Sequence, residues 1–478
     1  MNADRSASWT ALYRSGQFGQ LVLLAFSVWL HAADELMVST VTPAMTGEIG
    51  GERFVAWLTA LYEIGSIVAG ASCALFVLRT GLRRTMGAAA LIYMTGCLVS
   101  GLAPTMEPML AGRLIQGLGG GAMIATTFIA IHRIMPEHLT ARGYAVISMV
   151  WGVSAFSGPL VGAIFAESGW WRGAFFLFAA MAAGFSALAL TRLRDSRSHE
   201  TGDASGTVNE SGRGLASFGL RIGLLATGVV AIAASGIEVE APRTSMLAGF
   251  GLLLLALFLH LDGKAGNRRL MPHRPWSLAS PQGAVMVLVL FISAATAALI
   301  TYGPLLLTRL HALNAVEIGF ILLLESVGWS TVAIALSGVP RRMEPTMIAG
   351  GFAISALAMA GFVHAVVAGP IWLIGVLAYV MGGGFGAAWA FMTRRATSLA
   401  PVGEKERIAS AIPTVQRLGY ALGAAYVGVI ANGAGFADDA SAQVAARTSY
   451  WVFGLSLIPA TIGLVAALRF VSFRDDGD

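Results

Sequence analysis

Long apolar runs separated by short polar breaks fill almost the whole of this 478-residue chain. Each run is long enough, at about 18 residues or more, to cross roughly 30 Å of hydrocarbon as a helix. The breaks contain charged residues or Pro, Gly and Asn, which commonly end helices. The pattern predicts fourteen membrane-spanning helices, near 20–44, 54–78, 85–104, 107–131, 143–166, 172–191, 217–237, 244–261, 283–307, 315–338, 345–364, 369–393, 408–432 and 448–470.

The composition excludes an ordinary soluble protein, because 56% of the residues are hydrophobic and only 12% are charged. The net charge of +5 does not indicate nucleic-acid binding, since the basic residues lie in short loops rather than along one helix face. Cys73 and Cys97 fall inside apolar runs, where a thiol behaves as a small hydrophobe. The expected partner is therefore the lipid bilayer, with no nucleic acid.

The distribution of Lys and Arg predicts the orientation of the chain. If both termini are cytoplasmic, 24 of the 31 Lys and Arg residues lie on the cytoplasmic side, five lie outside and two lie within spans. Positive charge concentrates on the cytoplasmic side of membrane proteins, so a multi-pass protein of the inner (plasma) membrane with both termini inside is predicted. The first apolar run is too long for a signal peptide and is expected to be a retained helix.

An internal repeat emerges when the chain is shifted against itself by 265 residues. The shift aligns Gly117 with Gly382, Gly119 with Gly384, Gly121 with Gly386, Ala122 with Ala387, Pro136 with Pro401, Arg142 with Arg407 and Gly158 with Gly423. The fourth and fifth spans then correspond to the twelfth and thirteenth, as expected for two parallel six-helix halves with two inserted helices. Such repeats place a substrate site at the interface between the halves, near the midplane.

This repeat predicts the domain organisation. The polar stretch before the seventh span has the composition of a flexible cytoplasmic linker. The expected units are an N-terminal six-helix bundle at 1–192, the linker at 193–216, two inserted helices at 217–261 and a C-terminal six-helix bundle at 262–478.

Two spans carry recognisable motifs, RLIQGLGGGA at 113–122 and GVSAFSGPLVG at 152–162. They resemble the R-x-x-Q-G-x-G-x-A motif and the export-branch motif of the major facilitator superfamily, specifically its fourteen-helix drug:proton antiporter branch. The resemblance covers nearly the whole chain and implies an all-α membrane protein with two six-helix bundles plus two inserted helices. The matching positions are Arg113, Gln116, Gly117 and Gly119 in the first motif and Gly152, Gly158, Pro159 and Gly162 in the second. In the first span Asp34 and Pro43 match a further motif of this branch.

The loop after the second span reads ALFVLRTGLRR at 74–84 and resembles the family's G-x-L-a-D-R-x-G-R-R motif, although topology alone also accounts for its basic residues. Leu78 replaces the acidic residue that helps to latch the cytoplasmic side shut in the family, which puts the usual latch in doubt. Glu344, beside Arg341 and Arg342, lies in the equivalent loop of the second half, but the sequence does not assign it as a replacement. The matching positions are Arg79, Gly81, Arg83 and Arg84.

Ionisable residues within spans are functional candidates, because each costs about 2.5 to 3.5 kcal/mol at the bilayer centre on insertion scales. Asp34, Glu35, Glu63 and Arg113 are predicted to lie together in the outer half of the first bundle. Three acids beside one base cannot all remain ionised comfortably, so at least one is expected to exchange protons near neutral pH. We predict Asp34 as the protonation site, Arg113 as its electrostatic partner and Glu35 or Glu63 as the second acid. The alternative is a set of structural ion pairs.

In the second half, Glu325 and Arg417 are expected to pair with each other or to contact substrate. Aromatic side chains within spans are predicted to wall a cavity for flat or cationic solutes, with packing or interfacial anchoring as the alternative for each. The predicted substrate-binding residues are Gln116, Trp151, Tyr302, Glu325, Trp329, Trp389, Arg417 and Tyr420.

The predicted function is secondary active, proton-coupled export of small amphipathic or cationic compounds, with no catalytic residues, metal or cofactor besides the coupling proton. The chain is expected to act as a monomer. One alternative is a carrier for an endogenous lipid, siderophore or metabolite, and another is a non-transporting membrane sensor or scaffold. A membrane enzyme is disfavoured, because the sequence offers no Walker motif, metal-ligand spacing or nucleophile–base pair.

Overall fold

A computed structural model describes residues 16–135, 137–193, 212–401, 403–439 and 441–473, and helices account for most of them. Most of the predicted linker lies outside the described residues, as does Pro136 of the repeat. The α-helices are α1 (Phe18–Ile49), α2 (Val55–Thr80), α3 (Leu82–Gly101), α4 (Met106–Ile134), α5 (Glu137–Glu167), α6 (Arg172–Arg192), α7 (Gly212–Ala234), α8 (Ala241–Gly263), α9 (Pro281–Ala297), α10 (Gly303–His311), α11 (Ala315–Ala335), α12 (Glu344–Ala368), α13 (Ile371–Ser398), α14 (Lys405–Gly433) and α15 (Ala442–Val471).

Each predicted span overlaps one long helix, and the π-helical segment Ala298–Tyr302 joins α9 and α10 into a single rod. Within the described residues, twelve helices are long and apolar enough to cross a membrane. The two predicted spans outside this set coincide with α3 and α14. Both helices are rich in small or polar residues, including Gln416 and Arg417 in α14, which lowers their hydropathy. The fold is therefore all-helical with twelve candidate spans, and the predicted number of fourteen is not confirmed.

Local signals explain where several helices begin and end. At the start of α11, Asn314 and Glu317 each accept a hydrogen bond from the other's backbone N–H at 2.9 Å, which forms a capping box. Gly50 and Gly81 end α1 and α2 with φ angles of 68° and 85°. Glycine adopts this left-handed region without strain, so Gly81 of the basic loop has a conformational role of its own.

The buried apolar residues form two main clusters. One cluster draws only on residues between 21 and 193, whereas the other comes mostly from the chain after 270 with a few residues of α2, α7 and α8. Helices α1–α6 accordingly pack mainly on one another, and α9–α15 do the same. The inserted helix α7 packs against α2 and α14, while α8 packs mainly on α7 and is largely exposed.

Glycines of the repeat make the same contact in both halves. A Cβ added at Gly117 would lie 2.1 Å from the carbonyl oxygen of Tyr62, and one at Gly382 would lie 1.8 Å from that of Glu325. Only a residue without a side chain permits such close approach between helices. The aligned glycines therefore hold α4 against α2 and α13 against α11. One turn further along, the corresponding pairs are Gly121 with Ser66 at 2.3 Å and Gly386 with Trp329 at 2.2 Å.

Several polar contacts join the two halves at one end of the molecule, which we call the Glu52 end; the opposite end is the Arg79 end. They are the ion pair of Arg309 with Glu52, the hydrogen bond from Asn432 Nδ2 to the Arg53 carbonyl at 2.9 Å, and the hydrogen bond from the Ala315 N–H to Glu167 at 2.9 Å. The halves are therefore held together by charged and polar side chains at the Glu52 end.

Candidate functional site

Asp34 on α1 and Arg113 on α4 form an ion pair inside the first bundle. The Nη1 atom of Arg113 donates a hydrogen bond to Asp34 Oδ2 at 2.8 Å. Asp34 is 0% exposed and Arg113 is 1% exposed, so neither charge is hydrated and each depends on the other for compensation. The structure brings together the two residues that the sequence singles out as proton site and electrostatic partner. Their roles stay predictions.

Gln116 bridges both members of this ion pair. Its Oε1 atom accepts a hydrogen bond from Arg113 at 3.0 Å, and its Nε2 atom donates to Asp34 Oδ1 at 3.4 Å and to Cys97 Sγ at 3.1 Å. The predicted substrate contact does not fit this arrangement, because Gln116 is fully buried and its polar atoms bond within the bundle. Gln116 positions the ion pair, since it lies one helical turn after Arg113 on the same face of α4.

Tyr62 and His31 extend this buried polar group. The Arg113 guanidinium lies over the Tyr62 ring, 4.1 Å from its centroid, and the Tyr62 hydroxyl lies 2.9 Å from both the Nδ1 atom and the carbonyl oxygen of His31. His31 is fully buried. His31 is not among the site residues predicted from the sequence, although its position three residues before Asp34 places both on one face of a helix.

Glu63 and Arg417 form an ion pair between the two halves. Arg417 Nη1 donates a hydrogen bond to Glu63 Oε2 at 3.0 Å, and the Glu63 side chain is 0% exposed. The predicted pairing of Arg417 with Glu325 is therefore wrong. Helix α14 packs against α2, so a side chain in the middle of α14 faces Glu63 of the first half. As a second acid, Glu63 thus pairs with Arg417 and not with Arg113.

Glu35 lies beside both ion pairs at the boundary between the halves. Its carboxyl is within interaction range of Glu63, Arg417 and Arg113. It also lines a small cleft formed by residues of α1, α2, α4 and the π-helical segment of the second half. Three acids and two arginines thus meet in the region that the sequence analysis assigns to proton coupling. They are not confined to the first bundle, because Arg417 comes from the second.

Aromatic residues predicted to bind substrate occupy different environments. Trp329 on α11 and Trp389 on α13 lie together, with ring centroids 5.7 Å apart, and Glu325 is half-buried one turn before Trp329.

Tyr302, in contrast, is fully buried and packs edge-on against Phe436. The π-helical turn directs Tyr302 into the core of the second half, so its predicted substrate contact is not supported. Trp151 on α5 is 40% exposed, and the hydroxyl of Tyr420 on α14 accepts a hydrogen bond from Gln416.

The motif on α5 connects both halves. A Cβ added at Gly158 would lie 2.5 Å from the carbonyl oxygen of Ala33, the residue before Asp34, whereas the neighbouring Pro159 faces Gly319 of α11 in the second half. One face of the motif therefore packs against the helix that carries the proton-site candidate, and another meets the opposite half. Gly162, one turn after Gly158, contacts Met37, and Gly152, six residues before Gly158, faces Ser330.

The basic loop at the Arg79 end remains a family motif without its acid. Leu78 and Arg79 are exposed, while Arg83 and Arg84 lie in the first turn of α3. In the equivalent loop of the second half, Glu344 pairs with Arg394 at 2.5 Å. This contact joins α12 to α13 within the second half, so it does not bridge the halves as a latch would.

Many apolar helices, two separate cores and buried charges shared between them together define a polytopic membrane transporter. Residues 24–424 match the family model described as Major Facilitator Superfamily. The chain belongs to this superfamily, and it is a transporter.

Several relatives are named as drug transporters. The chain is 29% identical over 482 residues to a "Probable multidrug-efflux transporter" of Mycobacterium tuberculosis, covering 98% of this chain and 97% of the relative. It is also 28% identical over 168 residues to "Multidrug resistance protein 3" of Bacillus subtilis, covering 35% of this chain and 33% of the relative.

Solved structures of transporters share the fold. A peptide transporter has a TM-score of 0.68 at 15% identity and covers 95% of both chains. A D-xylose–proton symporter has a TM-score of 0.65 at 14% identity, covering 96% of this chain and 99% of the symporter. At these identities the likeness concerns the fold alone.

Proposed function

We propose that this transporter exports small amphipathic or cationic compounds in exchange for protons, by alternating access between two bundles. The observation that carries the proposal is the buried Asp34–Arg113 pair with Gln116 beside it. A carboxylate without water needs either its arginine or a proton, so loading a proton is linked to a change at the pair. The names of the relatives support efflux and the class of cargo.

The surroundings of Arg113 support the proposed exchange of a proton at Asp34. When Asp34 is protonated, Arg113 keeps its hydrogen bonds to Gln116 Oε1 at 3.0 Å and to the Leu58 carbonyl at 3.3 Å, and its contact with the Tyr62 ring. These groups compensate the guanidinium while the acid is neutral. Loss of the proton restores the ion pair. Asp34 therefore alternates between two states without leaving a charge fully uncompensated.

We propose the same domain division as in the sequence analysis, with fourteen spans, both termini in the cytoplasm, a plasma-membrane location and a monomeric chain. Helices α3 and α14 are inferred to cross the bilayer because each packs along apolar neighbours, α3 against α4 and α6 and α14 against α2 and α9. The Arg79 end faces the cytoplasm, as the distribution of Lys and Arg favours. Polar contacts between the halves at the Glu52 end then correspond to closure toward the outside.

The test uses the purified full-length chain in liposomes with an imposed pH gradient and a panel of cationic, neutral and anionic compounds. We expect compound-driven proton flux with the wild type and loss of uphill, proton-driven flux in Asp34→Asn, with counterflow of the compound retained. The matched control is Asp262→Asn, which weakens the buried Arg221–Asp262 pair between the inserted helices and should retain coupling. Undiminished proton flux in Asp34→Asn would exclude the proposed role.

A further inference from the structure

We infer that Arg417 is a built-in cation that occupies, between transport cycles, a binding position for cationic cargo at Glu63. The inference rests on the proposed export function and adds the residue that selects for positive charge. It starts from the ion pair that the sequence analysis did not predict, in which a side chain of the second half reaches an acid of the first at 3.0 Å.

The charges around this ion pair do not balance. The acids Asp34, Glu35 and Glu63 carry three formal negative charges, whereas Arg113 and Arg417 carry two positive ones. Asp34 and Arg113 compensate each other in the first bundle. Glu35 and Glu63 therefore share Arg417, and one negative charge at the boundary is left for a proton or a cation. A site with this surplus attracts a positively charged solute and disfavours an anion.

The Glu63 carboxylate also has an unsatisfied oxygen atom. Glu63 Oε1 is buried and has no hydrogen-bond donor among the described residues, and the nearby Glu35 carboxyl donates only when it is protonated. Leaving a buried carboxylate oxygen without a partner costs free energy. A cationic group of a cargo molecule at Glu63 offsets that cost electrostatically and also replaces Arg417.

Arg417 reaches Glu63 from the opposite half. It belongs to α14 of the second half, and its side chain is 16% exposed whereas Glu63 is 0% exposed. Because alternating access moves the halves relative to each other, the pair breaks when they separate. A buried Glu63 left alone would be an uncompensated charge. Separation is thus easiest when another cation takes the position of Arg417.

Tyr420 supplies the apolar part of the site. It lies one turn after Arg417 on α14, within interaction range of both Glu35 and Glu63. An aromatic face beside carboxylates suits an organic cation with a flat or apolar body. The cargo class is therefore a monovalent organic cation that competes with Arg417 for Glu63.

Equilibrium binding of tetraphenylphosphonium to the purified full-length chain tests this competition without relying on proton coupling. In Arg417→Gln the competitor is gone, so we expect the Kd to fall about tenfold, with a lower maximal rate of transport in liposomes. Arg417→Lys keeps the charge and should restore a Kd close to that of the wild type. Glu63→Gln should weaken binding at least tenfold, and Glu63→Gln with Arg417→Gln should bind as weakly as Glu63→Gln alone.

Each result decides the inference. An unchanged or higher Kd in Arg417→Gln, equal behaviour of Arg417→Lys and Arg417→Gln, or no binding of tetraphenylphosphonium to the wild type would overturn it. Thermal unfolding of each variant identifies protein that is not folded, and Glu63→Gln keeps the test decisive if Arg417→Gln unfolds, because undiminished binding in Glu63→Gln would also overturn the inference. Failure of the proposed export function is distinguishable, because it shows as absent flux in liposomes while binding and its dependence on Arg417 persist.

Discussion

The close contact between α11 and α13 makes a quantitative prediction for Gly382→Ala. The added Cβ would lie 1.8 Å from the carbonyl oxygen of Glu325 and 2.6 Å from its carbonyl carbon. Both are backbone atoms that cannot rotate away, so the two helices must separate by roughly 1.5 Å to reach ordinary van der Waals contact. Overpacking of this kind costs about 1–3 kcal/mol of stability. The displaced backbone also carries Glu325, a candidate for substrate contact.

The matched control is Gly350→Ala on α12, where nothing lies within 4 Å of an added Cβ. Alanine is favoured over glycine within a helix by about 1 kcal/mol, and this gain is common to both variants. Their difference in unfolding free energy therefore isolates the clash, at about 1–3 kcal/mol. Thermal unfolding in detergent, followed by tryptophan fluorescence, should give the lower midpoint for Gly382→Ala. A midpoint equal to that of Gly350→Ala would refute the reasoning.

Three further predictions concern the site and the Glu52 end. Gly158→Val should sharply reduce transport in liposomes, because its side chain would press on the Ala33 carbonyl 2.5 Å from an added Cβ; activity like that of the wild type would contradict the role of this contact. Cysteines replacing Glu52 and Arg309, whose long side chains form an ion pair between the halves, should be cross-linked by a bifunctional methanethiosulfonate reagent that spans the lost side-chain length, which blocks transport until a reductant is added; transport in the cross-linked protein would disprove closure at this end. Tyr62→Phe should lower the unfolding free energy by about 0.5–1.5 kcal/mol, since the hydroxyl bonds to α1, and thermal unfolding with an unchanged midpoint would show that this bond contributes nothing.

The pairing of Asp34 with Arg113 was accessible from the sequence. Both residues are charges in apolar runs, their depths agree when counted from the predicted helix ends, and each falls in a motif that resembles the superfamily. Burial makes a charge without a partner expensive, so two opposite charges at one depth in the same half are expected to meet. The same reasoning predicts that α1 and α4 are neighbours, as the structure has them.

The pairing of Glu63 with Arg417 was not accessible in the same way. The repeat matches each helix of one half to its counterpart in the other half. It does not predict which residues of the two halves face each other. Arg417 could be matched to Glu325 or Glu63 by depth alone, and only the packing of α14 against α2 decides between them. The burial of Tyr302 could not be predicted for a similar reason. No sequence pattern indicates the π-helical turn at Ala298–Tyr302, which rotates Tyr302 into the core.

The repeat itself shows where the two halves differ. An added Cβ at Gly158 or at its aligned partner Gly423 would lie 2.5 Å from the carbonyl oxygen of Ala33 or Ala294, respectively. The backbone contact is the same in both halves. The next residue along the chain, however, is Asp34 in the first half and an alanine in the second. The glycines that bring helices together are thus shared, while the charge beside them is not.

The same asymmetry holds on the other side of the ion pair. The shift of 265 residues carries Arg113 onto Ala378, which is fully buried. Shared packing allows both halves to move as similar bodies. A buried charge, in contrast, costs free energy and is a candidate for a functional role. The proposed proton site therefore lies in the first half, where the repeat is broken. The second half reaches that site through Arg417, which is also a departure from the repeat because its counterpart is Gly152.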